Sequence, residues 1–195
     1  QYDSQLEWKQ KTVEQLMKRY IDEGAKLYQI VGMVEPWRYR NKCHISFGMN
    51  GRRQIISGIY EENSHRVVPV ESCLIQDSKA DEIARSVRAI MKECKLLPYD
   101  EDSETGLLRH LLVRRASRTG EILAALVTTT QQEVDLESWK ERLLSLPLNG
   151  KFAGILHITN DSMSDAVKCD SSEILYGRDY FYEELLGLKF RISTF

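Results

Sequence analysis

A basic stretch in the first third of the chain carries residue types that could contact nucleic acid. From Arg38 to Tyr60 there are five Lys or Arg residues and no Asp or Glu. Two aromatic residues, Trp37 and Tyr39, stand among the first cations. Cationic groups attract phosphates and aromatic faces accept stacked bases, so this mixture predicts a nucleic-acid surface. The alternative interpretation is a charged hairpin that only faces water.

A second stretch without acidic residues runs from Gly106 to Gly120. If both stretches belong to one sheet, their cations could form a shared surface for a phosphate backbone. The alternative is that Arg109 and Arg114 pair with the acidic segment 100–104. The candidate RNA-binding residues are Arg38, Tyr39, Arg40, Lys42, Arg109 and Arg114.

The motifs of the common enzyme classes are not found in the sequence. It has neither a G-x-G-x-x-G segment nor a P-loop, which excludes the usual nucleotide cradles. Its four histidines are scattered and single out no Ser-His-Asp or Cys-His arrangement. The acidic segment 100–104 lacks the glycine-spaced ligand order of a calcium loop, which favours a solvated loop. We therefore predict no catalytic residue in this chain.

The four cysteines, Cys43, Cys73, Cys94 and Cys169, form no C-x-x-C pair. With no histidine at zinc-finger spacing and no export signal, they indicate buried free thiols in a reducing cytoplasm. The formal net charge is -2, and no apolar run reaches the ~20 residues that span a bilayer. We therefore expect a cytoplasmic monomer without a membrane partner. Because the chain begins at Gln1, we expect it to be a piece of a longer protein.

The apolar periodicity predicts an α+β fold. A long amphipathic helix begins at the capping box Ser4-Gln5-Leu6-Glu7 and ends at Gly24. Alternation around Ile45 predicts a half-buried strand, and Asn50-Gly51 predicts a two-residue hairpin turn. With that turn Ile45 faces Ile56, while Arg40 and Lys42 lie on the exposed face.

The rest of the chain repeats these kinds of element. Apolar stripes predict helices starting near Asp77 and Asp135. Further strands are expected at 65–70, 107–116, 121–128, 152–159, 172–176, 180–185 and 188–195. The fold class is thus α+β: a mainly antiparallel sheet built from hairpins, two packed helices and a long N-terminal helix. We divide the chain into an N-terminal linker helix, residues 1–29, and a central RNA-contacting domain, residues 30–195.

Several short groups of residues, ordered along the chain, carry a family resemblance. They are Tyr39-Arg40-Asn41-Lys42; Ser64-His65 followed by Val70 and Cys73; Gly106 followed by Arg109-His110-Leu111 and Arg114; and Gly177 followed by Tyr180-Phe181-Tyr182-Glu183. In order and spacing they resemble the bacterial RNA (uracil-5-)-methyltransferase family, of the type that acts on 23S ribosomal RNA. The resemblance covers essentially the whole chain, but only the middle of the family's architecture.

That resemblance implies the central, RNA-positioning domain of an S-adenosylmethionine-dependent enzyme that methylates uracil C5. The substrate would be RNA, ribosomal rather than transfer RNA. The catalytic residues, the cofactor site and the C-terminal methyltransferase domain would follow Phe195 and are absent here. Some family members hold a four-iron cluster, and Cys73 falls at the position of one of its ligands. The three partner cysteines would lie upstream of this chain, so no cluster is expected in it.

A second class of function stays open at this point. The chain could be a stand-alone, non-catalytic module that binds RNA or an acidic protein. The missing cofactor motif favours that alternative. A sequence that stops within a predicted strand, at Phe195, favours the enzyme fragment.

Overall fold

The computed structural model describes residues 1–162 and 169–194 and has the predicted α+β fold. The chain divides into two compact units, Gln1–Trp37 and Arg38–Phe195. The larger unit contains the sheet, two of the helices and all of the candidate RNA-binding residues.

The smaller unit is built on two consecutive helices, α1 (Tyr2–Leu16) and α2 (Lys18–Asp22). The predicted capping box at Ser4 is wrong, because the helix begins earlier, with Gln1 as its N-cap residue. The carbonyl of Gln1 accepts the first helical hydrogen bond, from the amide of Gln5, so Ser4 already lies within the first turn.

The segment that follows α2 runs back along α1 and is held by two of its side chains. The Ile30 amide donates to Gln10 Oε1 at 2.8 Å, and the Met33 amide donates to the Tyr2 hydroxyl at 2.7 Å. These two bonds give an otherwise irregular segment fixed backbone partners within the unit.

The larger unit contains a seven-stranded sheet and a separate two-stranded hairpin. The strands are β1 (Lys42–Met49), β2 (Ile55–Tyr60), β3 (Val67–Pro69), β4 (Leu108–Arg115), β5 (Glu121–Thr128), β6 (Lys151–Thr159), β7 (Ser171–Gly177), β8 (Tyr180–Leu185) and β9 (Leu188–Ser193). The sheet order is β3-β2-β1-β4-β5-β6-β7, and β8 pairs with β9. Both basic hairpins therefore belong to one sheet, joined where β1 pairs antiparallel with β4.

The pairing is antiparallel except where β5 and β6 run side by side in parallel. The helix α4 (Leu136–Leu144) connects these two strands, as a parallel crossover requires. The side chain of Asp135 caps α4 by accepting from the Ser138 amide at 3.0 Å. Burial along β4 and β5 is nearly continuous, as their unbroken apolar sequences predict.

The helix α3 (Ser78–Glu93) covers one face of the sheet. Its apolar stripe, which includes Ile83, Val87 and Met91, is fully buried against residues of β1 such as Phe47. Asp77 caps the helix by accepting from the Lys79 amide at 2.9 Å. A second core cluster on the other face of the sheet includes Phe181 of β8.

The predicted two-residue turn at Asn50-Gly51 is wrong. The connection spans residues 50–54, so Met49 pairs with Ile55 and Phe47 with Ser57. The Asn50 side chain causes the difference, because its Oδ1 accepts from the amides of Arg52 and Gln54 and closes a wider turn. The alternation of β1 is as predicted from Lys42 to Ile45, whereas Ser46, on the face predicted to be exposed, is buried.

Among the described residues, no helix has both the length and the apolar character that crossing a membrane requires.

Candidate nucleic-acid interface

The alternation of β1 presents its cation on the face of the sheet that α3 does not cover. Cys43 and Ile45 are buried in the core under α3, whereas Lys42, the first residue of the strand, is exposed. In the β1–β4 register, Lys42 lies directly opposite Arg114. Two cations from the two basic stretches therefore stand side by side on this face.

The two residues at the entrance to β1, Tyr39 and Arg40, have exposed side chains. The Arg40 amide donates to the Ile75 carbonyl at 2.8 Å, and the Arg40 carbonyl accepts from the Asp77 amide at 2.9 Å. Tyr39 is 51% exposed. The ring of Tyr39 and the cations of Arg40 and Lys42 thus lie close together in the chain. The hydrogen bonds of Arg40 fix the backbone at this start of the strand. We call Tyr39, Arg40, Lys42 and Arg114 the strand surface.

Arg114 is the most constrained member of the strand surface. Its Nη1 donates to the Ser193 carbonyl at 2.6 Å, and its guanidinium lies 5.9 Å from the Phe181 ring centroid. Burial lowers the pKa of Arg114, although an arginine stays charged at neutral pH. The charge of Arg114 therefore adds to the positive potential near Lys42. Some of its N–H groups already donate to the protein and are not free to bind a phosphate.

Arg38 binds the protein itself. Its guanidinium donates to Asp81 Oδ2 at 2.7 Å, to Ser72 Oγ at 2.8 Å and to the Cys73 carbonyl. Asp81 is buried, so this ion pair ties the 72–76 loop to α3. We therefore give Arg38 a structural role and leave it out of the strand surface.

Arg109, which was expected to bind RNA, is buried inside the protein. It is 1% exposed, and its Nη2 donates to both carboxylate oxygens of Glu101, at 2.9 and 3.0 Å. Its guanidinium also lies 4.4 Å from the ring centroid of Tyr99. The alternative interpretation, in which the acidic segment holds this arginine, is the correct one, because a phosphate cannot reach the buried guanidinium.

A group of rings beside the strand surface was missed by sequence reasoning. The His44 and His110 rings meet edge to face at 4.4 Å, and the Tyr60 ring lies 6.2 Å from His110. His110 is fully buried, and burial lowers its pKa to about 3, with the neighbouring His44 and Arg109 acting in the same direction. His110 is therefore neutral at pH 7. The i, i+2 spacing of Lys42 and His44 in β1 was the available signal.

A second missed cluster lies on the β8–β9 hairpin. The Arg191 guanidinium lies 4.0 Å from the Tyr180 ring centroid, and Lys189 Nζ lies 3.9 Å from that of Tyr182. The neighbouring Arg178 pairs with Glu121. Since cations already cover these ring faces, the cluster stabilises the hairpin rather than offering free stacking surfaces.

The cysteines do not fit a four-iron cluster. All four are free; Cys43 is buried, Cys73 is half-buried, and Cys94 and Cys169 are exposed, so the expectation of buried thiols holds for Cys43 alone. Burial raises the pKa of the Cys43 thiol to about 11, which keeps it protonated. Within residues 1–162 and 169–194, no three His, Cys, Asp or Glu residues are grouped to hold a metal ion. A four-iron cluster needs four ligands, so Cys73 by itself could not hold one.

The β5-α4-β6 unit does not fit an S-adenosylmethionine site of the Rossmann type. In such sites the turn after the first strand is glycine-rich, because the backbone must approach the ligand closely. Here the segment between β5 and α4, residues 129–135, contains no glycine. Its Thr129 and Thr130 side chains are instead bonded to Gly106 and Asp161.

Comparison with known proteins connects this fold to RNA modification. No protein-family model matches the chain. An uncharacterised RNA methyltransferase of Clostridium tetani is 37% identical over 194 residues, which are 98% of this chain and 42% of that protein. Uncharacterised RNA methyltransferases of Staphylococcus aureus and Halalkalibacterium halodurans are 36% and 33% identical, with 98% and 99% of this chain and 42% of each protein covered.

A solved structure shares the fold at lower sequence identity. The tRNA (uracil-54, C5)-methyltransferase of Pyrococcus abyssi, in complex with S-adenosyl-L-homocysteine, superposes with a TM-score of 0.75 at 18% identity. The match covers all of this chain and 43% of that one. The chain thus spans about two fifths of the length of the proteins it matches. Because the chain is 33–37% identical to these bacterial relatives over nearly its whole length, it belongs to the RNA methyltransferase family.

Proposed function

We propose that this chain is the RNA-positioning part of an S-adenosylmethionine-dependent RNA uracil-C5 methyltransferase that acts on 23S ribosomal RNA. The observation that carries the proposal is the 37% identity to an RNA methyltransferase over 98% of the chain. The uracil-C5 chemistry is supported by the fold shared with a uracil-54 tRNA methyltransferase.

The strand surface gives the chain a means to position RNA. Arg40 and Lys42 are exposed cations on a strand entrance whose backbone is fixed by hydrogen bonds. Contacts to phosphates set the register and orientation of a nucleic acid without reading its sequence. Uracil C5 chemistry requires the base to leave its stack, so the enzyme needs a part that holds the flanking backbone while the base is extruded.

Replacing Arg40 and Lys42 together by alanine tests the proposal. Each lost phosphate contact should reduce the log-log salt dependence of binding by about 0.7 on single-stranded RNA. We expect the slope to flatten by roughly one unit or more, with a similar loss of affinity for every RNA sequence. Fluorescence anisotropy of labelled 23S rRNA fragments at several salt concentrations measures both quantities.

A matched control removes the same number of exposed charges elsewhere. The variant Lys18→Ala/Lys151→Ala should bind with the wild-type salt slope. If the Arg40 and Lys42 variant binds RNA with the affinity and the salt slope of the wild type, the proposed role of the strand surface is wrong. Competition by unlabelled transfer RNA as effective as that by 23S rRNA fragments would contradict the ribosomal assignment and leave the general RNA role intact.

A further inference from the structure

A second cationic surface lies on the helix-covered side of the sheet. A groove of about 960 Å³ runs between α3 and the turn that joins β1 to β2. Lys42 faces the other side, since β1 places its buried residues under α3 and its exposed residues opposite, and Arg40 is not among the residues that line the groove. The groove is therefore a separate surface from the one described above.

One wall of the groove is a row of cations on α3. Arg85, Arg88 and Lys92 recur at helical spacing, and Lys95 follows just after the helix ends. Residues three and four apart lie on one helix face, so these side chains form a stripe about 10 Å long from Arg85 to Lys92. Arg53, from the turn between β1 and β2, adds a cation on the facing wall.

Three of these cations have no ion-pair partner in the part of the chain that the structure describes. Arg88 pairs with Glu71 at 2.7 Å, and Arg85 donates to the Glu71 carbonyl at 3.0 Å. Arg53, Lys92 and Lys95 are exposed and make no ion pair with any described residue. The carboxylate next to Lys92 in the chain, that of Glu93, pairs with Arg142.

The charge balance of the groove differs sharply from that of the whole chain. Glu71 is its one acidic lining residue among those described, against five Lys or Arg. The whole chain has 27 Lys or Arg and 29 Asp or Glu. Concentrated positive charge in a concave site raises the local concentration of a polyanion. Among the described residues, the lining contains no aromatic ring, so base stacking is not offered there.

We infer that this groove is a second RNA-binding surface that holds the phosphate backbone without reading the bases. The inference rests on the proposed function, because membership of an RNA methyltransferase family makes RNA the polyanion that fits the charge. Arg85 and Arg88, anchored on Glu71, shape the wall. Arg53, Lys92 and Lys95 make the phosphate contacts.

The variant Arg53→Ala/Lys92→Ala/Lys95→Ala tests the inference in the 195-residue chain. The probe is a labelled single-stranded oligouridylate, and anisotropy is measured across a salt series. Loss of three contacts should flatten the log-log salt slope by about 2 and weaken binding at least tenfold at low salt. The control Lys11→Ala/Lys18→Ala/Lys151→Ala removes three exposed lysines elsewhere and should leave the slope unchanged.

A second variant guards against a folding defect. Lys92→Gln/Lys95→Gln keeps both side chains long and polar, and it should flatten the slope by about 1.4. Because Arg40 and Lys42 do not line the groove, the losses caused by their removal should add to those of the groove when both sets are removed.

The outcomes separate this inference from the function on which it rests. If the wild-type chain binds no RNA, both are overturned. If only the Arg40 and Lys42 variant binds more weakly, the function stands and the groove inference is wrong. If polyglutamate binds the wild type but not the groove variant, while oligouridylate binds both equally, the groove takes an acidic protein and the inference is again overturned.

Discussion

At the scale of single residues, burial decides what each basic side chain does. Arg109 and Lys42 both lie on strands within basic stretches, yet Arg109 is 1% exposed and Lys42 faces solvent. A buried charge must be paired, and Glu101 is the partner that makes the position of Arg109 tolerable. An exposed lysine has no such requirement and stays available for a phosphate.

Substitution of Arg109 by methionine should destabilise the fold strongly. It leaves the Glu101 carboxylate, which is 5% exposed, without its bidentate partner. Loss of one member of a buried pair typically costs about 3–5 kcal/mol in the free energy of unfolding. Urea denaturation measures the loss. Arg118→Met, at an exposed turn, should change stability by less than about 0.5 kcal/mol. Equal stability of both variants would disprove the structural role of Arg109.

The buried His110 should make the fold sensitive to mild acid. Its pKa is about 3 in the folded chain against 6.5 for an ordinary histidine, so as the pH falls the unfolded state takes up the proton first. The stabilising effect is complete above pH 6.5 and is lost progressively toward pH 3. At about 1.36 kcal/mol per pH unit, the loss between about pH 7 and pH 5 is about 2 kcal/mol.

The variant His110→Gln isolates this contribution. It lacks the titrating ring, so urea denaturation at about pH 7 and pH 5 should show a smaller acid loss than in the wild type. The control His65→Gln changes a side chain that is 44% exposed, and this variant should lose as much stability in acid as the wild type. An unchanged pH dependence in the His110 variant would show that the effect comes from other groups.

At the scale of elements, close backbone contacts fix how the hairpin β8–β9 joins the sheet. A Cβ on Gly154 of β6 would lie 1.7 Å from the Arg178 carbonyl oxygen and 2.8 Å from Leu123 Cδ1. The Arg178 amide also donates to the Ala153 carbonyl at 3.0 Å. The chain therefore passes over β6 at a place where only a glycine fits.

Gly154→Ala should push the backbone at Arg178 away from β6 and destabilise the fold. The clash is with backbone rather than with a flexible side chain, so we expect a loss of about 3 kcal/mol in the free energy of unfolding. Thermal or urea denaturation measures it. Gly51→Ala is the control, because a methyl group added there would have nothing within 4 Å of it. A Gly154 variant as stable as the Gly51 variant would mean that the crossing adjusts without cost.

At the scale of the whole molecule, the chain matches about 42% of the length of its relatives. Lys42 and Arg114 lie on one face of the sheet, and the cations of the groove lie on the helix-covered side. The described residues do not supply a glycine-rich cofactor turn. The contribution that we propose for this arrangement is the positioning of RNA.

The chain alone should therefore not bind S-adenosylmethionine. The segment that follows β5 has no glycine, and its threonines are bonded within the protein. Isothermal titration of the chain with S-adenosylmethionine should give no measurable heat of binding. A micromolar dissociation constant would contradict the assignment of this chain to the positioning part of the enzyme.

The α+β class and most strands were predictable from the sequence, because apolar periodicity reports burial directly. The alternation around Ile45 and the stripe that contains Ile83 were interpreted correctly. The ordered groups around Arg40 and Tyr180 likewise indicated the family before any fold was known. These features depend on neighbours close in the chain.

The tertiary structure alone decided which cations are available. Arg109 pairs with Glu101 across a loop, and Arg38 pairs with Asp81, which is 43 residues away in the chain. Asn50 widened its turn through side-chain hydrogen bonds, and the cations of α3 were brought opposite Arg53 by packing. A charge pattern fixes the sign of a surface, but desolvation and pairing, which need distant residues, determine whether each charge can bind a ligand.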